Sequence, residues 1–187
     1  MSAYFDWAAT ACPDSAILEL ANKTALETFG NPSSVHNDGK KASKTLLDAR
    51  MRCADCLKVP PETIHFTSGG TESDYLPLLA LLQRPVRGTV AISSIEHPAV
   101  AEMANMLSQT GWKSLIIPAD REGFVTPEAV LDTIKDDTAY VAVMAVNNET
   151  GAIQPVEQIA DALTKFCKGR KKPHFHVDAV QAIGKVP

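Results

Sequence analysis

The sequence predicts an α/β protein, a mostly parallel sheet flanked by helices. Short β-rich runs alternate with segments of helical periodicity over the second two-thirds of the chain. The run at residues 139–146, Ala-Tyr-Val-Ala-Val-Met-Ala-Val, is almost continuously apolar, as expected of a strand covered on both faces. Helix signals stand between the strands, where crossover connections belong. Thr126-Pro127-Glu128 joins an N-cap to a first-turn proline and an acid that suits the helix dipole, and Gly169 closes a segment opened by Pro155.

Taken in order, the pattern predicts two helices over residues 14–29 and 40–58, joined by a Gly30-Asn31-Pro32-Ser33-Ser34 turn. A first strand is expected over residues 62–67, followed by a Gly69-Gly70 turn into a helix. Further strands are expected at Thr89–Ser93, Lys113–Ile117, 139–146 and 174–178. Helices over 98–110, from 126, and over 155–168 separate them. The chain thus reads as an N-terminal helical segment, 1–60, and an α/β part, 61–187. It stops at Pro187, soon after a strand, with neither a capping helix nor a polar tail. This reads as an interrupted α/β pattern.

Composition narrows the function classes. Of 187 residues, 45% are hydrophobic and 21% charged, enough apolar material for a core and too much for disorder. Eighteen basic against twenty-two acidic residues give a net charge of −4, which argues against a nucleic-acid footprint. No apolar run approaches the ~20 residues needed to cross a bilayer, and the N-terminus lacks the basic and apolar regions of a signal peptide. A cytoplasmic protein with neither nucleic-acid nor membrane partners is expected. Cys12 and Cys167 are isolated. Cys53 and Cys56 lie inside a predicted helix, not at the N-terminus that would activate a thiol, and no second ligand pair accompanies them. They read as two reduced thiols one turn apart, and no metal site is expected.

In an open parallel sheet, ligands bind beyond the carboxyl ends of the strands. Phe66-Thr-Ser-Gly-Gly-Thr-Glu-Ser73 has the glycines and helix start of an anion cradle, with Thr71 placed to add a hydroxyl. It lacks the Gly-Lys-Ser/Thr of a P-loop and the Gly-x-Gly-x-x-Gly of a dinucleotide fold. Thr71 with Asp74 also fits a variant capping box. His97 directly precedes a helix that starts at Pro98, so it is either a helix-terminal side chain or an aromatic base above the same cleft. Asn147 and Asn148 either shape a turn or turn an amide towards the cleft. His174, His176 and Asp178 share one strand face by alternation, and the His-x-His pair has no obvious third metal ligand. Asp178 ends an apolar strand without an obvious Lys or Arg partner. A buried carboxylate is costly without a cation, so a cationic ligand such as a protonated pyridine nitrogen suits it.

Six motifs sharpen this. Tyr4-Phe-Asp-Trp-Ala-Ala-Thr10, Gly30-Asn-Pro-Ser-Ser34, Phe66-Thr-Ser-Gly-Gly-Thr-Glu-Ser73, Glu96-His97, Val146-Asn-Asn-Glu149 and His176-Val-Asp-Ala-Val-Gln181-Ala-Ile-Gly-Lys185 occur in order along nearly the whole chain. Together they resemble the cysteine desulfurase family, the class V aminotransferase branch of fold-type-I pyridoxal-phosphate enzymes.

The resemblance implies a partial large domain of that fold, with pyridoxal 5′-phosphate as cofactor. It implies that Thr71 and the backbone at Gly70 hold the phosphate. His97 would stack on the ring and move protons as the catalytic residue, and Asp178 would pair with the ring nitrogen. Asn148 and Gln181 would bond the ring's 3′-oxygen, and Asn31 and His36 would lie on the substrate side. The family takes sulfur from L-cysteine as an enzyme persulfide, leaves alanine, works as a homodimer and hands sulfur to an acceptor protein, as in iron–sulfur cluster assembly.

The family's Schiff-base lysine, persulfide cysteine and carboxylate-gripping arginine match nothing in this sequence, and Lys185 belongs to a different motif. The expectation is therefore the N-terminal portion of such an enzyme, inactive by itself. Trp7, Tyr75 and Pro77 depart from the family's wording, and Pro77 falls where a helix is expected. Two alternatives stand beside this one. The first is another class V enzyme such as a selenocysteine lyase or aminotransferase. The second is a truncated, non-catalytic binding or dimerisation partner.

Overall fold

The structure is a computed structural model that describes residues 3–186; Met1, Ser2 and the chain end at Pro187 lie outside the described residues. The chain divides into two compact units, Met1–Phe66 and Thr67–Pro187.

The first unit is helical. Helix α1, Ser15–Glu27, starts where the Asp14 carboxylate accepts the amides of Ala16 and Ile17 at 2.8 and 3.2 Å. It buries none of its residues, and Ile17, Leu18, Leu20 and Leu26 are exposed. Helix α2, Asn37–Leu57, starts three residues before the expected position. His36 supplies the cap, its Nδ1 accepting the Gly39 amide at 3.3 Å. A Cβ on Gly39 would lie 2.3 Å from the Ser34 carbonyl oxygen, so the turn can press on the helix start only against glycine. Cys53 and Cys56 lie within α2 as free thiols, the first half-buried and the second exposed.

Residues 62–67 are not a strand. Pro61–Thr63 makes a 3₁₀ turn, with the Thr63 hydroxyl and amide both donating to the Pro60 carbonyl, at 2.7 and 3.0 Å. Proline has no amide to give a ladder and its φ is fixed, so the β-rich letters that follow start from a turn. The Ile64 carbonyl accepts Arg50 Nε at 3.0 Å in place of a strand partner, and the Arg50 guanidinium covers the Phe66 ring.

The second unit carries a four-stranded, all-parallel sheet in the order β2-β1-β3-β4. Its strands are β1, Thr89–Ser93; β2, Lys113–Ile117; β3, Thr138–Ala142; and β4, His174–His176. The first two coincide with the expected runs. The apolar run at 139–146 leaves the regular ladder at Ala142, yet its pairing continues. Val143 N donates to His176 O at 3.1 Å and Ala145 N to Asp178 O at 2.8 Å.

Alternation sorts the core into two layers. Val90, Ile92, Tyr140 and Ala142 pack with Leu78, Val100, Met103, Leu107 and Trp112 on one face. Ala91, Val141 and Val143 pack with Val125, Val130, Ile159 and Leu163 on the other. Helices α3, Gly70–Leu79, and α4, Pro98–Ser108, therefore cover one face. Helices α5, Pro127–Thr133, and α6, Val156–Phe166, cover the other. The doubly covered sheet accounts for the unbroken hydrophobicity of its central strands.

Pro77 lies inside α3, which continues through it to Leu79. Replacing it with alanine restores one backbone hydrogen bond, partly offset by a freer unfolded chain. Pro77→Ala should raise unfolding free energy by about 1–2 kcal/mol in a urea titration. An unchanged or lower midpoint would mean that the pyrrolidine ring itself packs usefully there.

Candidate active site

The carboxyl ends of β1 and β3 and the chain beyond β4 open onto a cleft of about 170 Å³ at the start of α3. Gly70, Thr71, Asp74, His97, Met144, Asn148, Asp178, Val180 and Gln181 line it, so six of the eight predicted site residues share one hollow. Asn31 and His36 belong to the first unit, where their side chains make local hydrogen bonds. Asn31 Oδ1 accepts the Ser33 amide at 2.9 Å, and His36 caps α2.

One end of the cleft is suited to an anion. Gly69 is the N-cap of α3 and offers no side chain, and the first intrahelical bond is from Ser73 N to Gly69 O. The amides of Gly70 and Thr71 thus point out of the helix without an intrahelical acceptor, at its positive end. Thr71 is exposed beside them. A Cβ on Gly70 would come within 2.7 Å of Val180 Cγ2, so glycine is what lets the helix start approach the chain after β4.

The capping box expected from Thr71 and Asp74 is not formed. Glu72 instead reaches back past the Gly69 N-cap to Ser68, accepting its hydroxyl and its amide at 2.6 Å each, bonds that hold the Glu72 pKa below its ordinary value. Asp74 is buried and bonded instead to His176 Nε2 at 3.2 Å.

The other end is suited to a cation. Asp178 is 7% exposed, and among the described residues no Lys or Arg pairs with it. Its Oδ1 accepts the Val180 amide at 2.9 Å, which fixes the carboxylate within the turn. Gln181 lines the cleft beside it, with Oε1 accepting from Lys185 Nζ at 2.5 Å.

His97 lines the same cleft as the N-cap of α4. Its Nδ1 accepts the Ala99 amide at 3.2 Å, which places the ring proton on Nε2. The two readings of this histidine are thus compatible, because one nitrogen caps the helix and the other stays free for chemistry. The neighbouring asparagines divide the work. Asn147 Oδ1 accepts the amides of Glu149 and Thr150 at 3.0 and 2.9 Å and so builds the turn. Asn148 lines the cleft.

Sequence reasoning named Glu96 only as part of a motif. Its Oε1 accepts the Ser93 hydroxyl at 2.5 Å and the Met144 amide at 2.8 Å, while Oε2 is buried without a partner. Burial pushes its pKa up from 4.5 to about 7, against those two hydrogen bonds, with the nearby Asp178 charge adding to the rise. No local signal in the sequence marks such a group.

A family description, Aminotransferase class-V, matches residues 3–187. The chain belongs to this family. It is 37% identical over 186 residues to a cysteine desulfurase IscS of Methanosarcina thermophila, covering 98% of this chain and 45% of that protein. Among solved structures, a NifS-like protein superposes with a TM-score of 0.92 at 39% identity, over 100% of this chain and 51% of that one. SspA in complex with cysteine superposes with a TM-score of 0.86 at 29% identity, over 94% and 50%. The chain spans about half the length of the relatives it matches. The parallel sheet with helices on both faces is therefore part of the large domain of NifS-like enzymes. Among the described residues, no three His, Cys, Asp or Glu side chains cluster as metal ligands, and no helix is long and apolar enough to cross a membrane.

Proposed function

We propose that this chain supplies the pyridoxal-phosphate-holding part of a cysteine desulfurase. The observation that carries the reading is the buried Asp178 carboxylate, which among the described residues has no Lys or Arg partner, in a cleft also lined by a glycine-opened helix N-terminus. A ligand with an anion at one end and a protonated aromatic nitrogen at the other matches both ends at once.

The residues fit that cofactor role by role. The amides of Gly70 and Thr71, with the Thr71 hydroxyl, would hold the phosphate. Asp178 would pair with the protonated ring nitrogen. Asn148 and Gln181 would bond the ring's 3′-oxygen. His97 would lie against the ring, with Nε2 as the atom that holds or moves a proton. When bound, the cofactor supplies an electron sink for negative charge at the substrate's α-carbon.

L-cysteine is the proposed substrate and alanine the proposed product, with sulfur passing to an acceptor protein from a homodimer. Membership of the family and the cysteine bound to the related SspA support that choice. The Schiff-base lysine and the persulfide cysteine belong to the part of such an enzyme that this sequence does not match.

The test is alanine release from L-cysteine by a polypeptide that carries this chain at the length of its relatives, with selenocysteine and kynurenine as competing substrates. Cysteine should be turned over fastest. His97→Asn preserves a good N-cap and removes the ring, so it should leave the melting temperature within a degree or two while cutting turnover by about 10²-fold or more. Wild-type-like turnover in that variant would remove His97 from the mechanism.

A further inference from the structure

The cleft needs its two ends held at a fixed separation, because a ligand gripped at both ends gains only if both grips are met together. The anion end is the first turn of α3, and the cation end is the turn after β4. These elements are far apart in sequence. They meet through the bond between Asp74 and His176, 102 residues apart, at 3.2 Å. Asp74 is one turn into α3 from Gly70, and His176 ends β4 two residues before Asp178.

The pair is enclosed, with side-chain exposures of 5% for Asp74 and 13% for His176. Tyr140, at the centre of the sheet, stacks on the His176 ring with centroids 5.7 Å apart and planes 23° apart, which fixes the imidazole plane. A second link runs parallel to the first, since Val180 presses on Gly70 and its amide binds Asp178 Oδ1.

We propose that Asp74 and His176 form a strut that sets the span between the phosphate seat at Gly70–Thr71 and the ring-nitrogen seat at Asp178. Both are positioning residues: His176 is not among the cleft-lining residues, and the Asp74 carboxylate, at the cleft wall, is bonded to His176. The inference rests on the cofactor assignment above and adds to it how the cleft is gauged.

The strut separates ligands that use both seats from ligands that use one. Pyridoxine 5′-phosphate spans the cleft and has no aldehyde to react with lysines, whereas pyridoxine and inorganic phosphate each occupy one end. Affinities of the three for the ¹⁵N-labelled chain are read from amide shifts, which report folding in the same spectra.

Asp74→Ala should weaken pyridoxine 5′-phosphate at least tenfold and change pyridoxine and phosphate less than twofold. Asp74→Asn, which keeps an acceptor for His176 Nε2, should stay within threefold of wild type for all three. His176→Phe keeps a ring on Tyr140 and removes the N–H, so it should repeat the selective loss and carries the test if Asp74→Ala unfolds. Equal loss of all three ligands, or none, overturns the strut while the cofactor assignment stands. Failure of the wild-type chain to bind pyridoxine 5′-phosphate overturns both.

Discussion

At pH 8 the Glu96→Gln variant should be more stable than the wild-type chain by about 3 kcal/mol, and the difference should vanish below pH 4.5. The Glu96 carboxyl titrates near 4.5 when exposed and at about 7 when folded, because its environment excludes water and leaves Oε2 without a donor. Between those values the folded state holds more protons than the unfolded state. Unfolding free energy therefore falls as pH rises across that window and is level above it. Glutamine keeps an oxygen for the Ser93 hydroxyl and the Met144 amide but does not titrate.

Three other groups shift without disturbing the comparison; the Tyr140 phenol, pushed by burial above its ordinary value of 10, lies beyond the range tested. The lowered pKa of Glu72 acts below its ordinary value of 4.5, and that of His174, caused by burial and by the neighbouring His176, affects wild type and variant alike. Urea titrations of both proteins at pH 5, 6, 7 and 8 give the difference directly. A constant difference across that range would show that Glu96 is not the group that titrates.

Asp178→Asn should weaken binding of pyridoxal phosphate to the chain by about 10- to 100-fold, the value of one charge-assisted hydrogen bond of ~1.5–3 kcal/mol. Asparagine keeps the oxygen that accepts the Val180 amide, so the turn survives and the loss is that of the negative charge alone. Stability should move in the opposite direction. A buried carboxylate without a partner is a cost to the folded state, and the amide relieves it. Equilibrium dialysis and a melting curve on one preparation test both signs together. Lower stability with unchanged affinity would make Asp178 a structural residue and remove the cation end of the site.

Much of this was legible locally. The runs Thr89–Ser93 and Lys113–Ile117 are β-rich over their whole length, so propensity and burial agree and their boundaries follow. The helix at Pro98 and the one at Pro127 begin where a capping side chain precedes a proline. Asp178 stood out because an acid at the end of an apolar strand demands a partner. Residues 62–67 misled because their letters favour a strand while the prolines before them start a turn, and among the described residues no strand pairs with them.

What could not be read was pairing at a distance. Asp74 looked like part of a cap because a cap is a local event; its bond to His176 depends on how α3 settles against β4. The unpartnered oxygen of Glu96 likewise exists only because Met144 and Ser93 meet around one carboxyl. Neither arrangement leaves a mark on the spacing of the sequence.

In the proposed complex one ligand bridges the glycine turn at α3 and the carboxylate after β4. Titrating the ¹⁵N-labelled chain with pyridoxal phosphate and mapping the perturbed amides tests this most directly. Saturable shifts are expected at Gly70, Thr71, Asn148, Asp178, Val180 and Gln181, with no adduct fixed by borohydride at the cleft. Shifts confined to lysine-bearing surfaces, or only one end of the cleft responding at saturation, would contradict it.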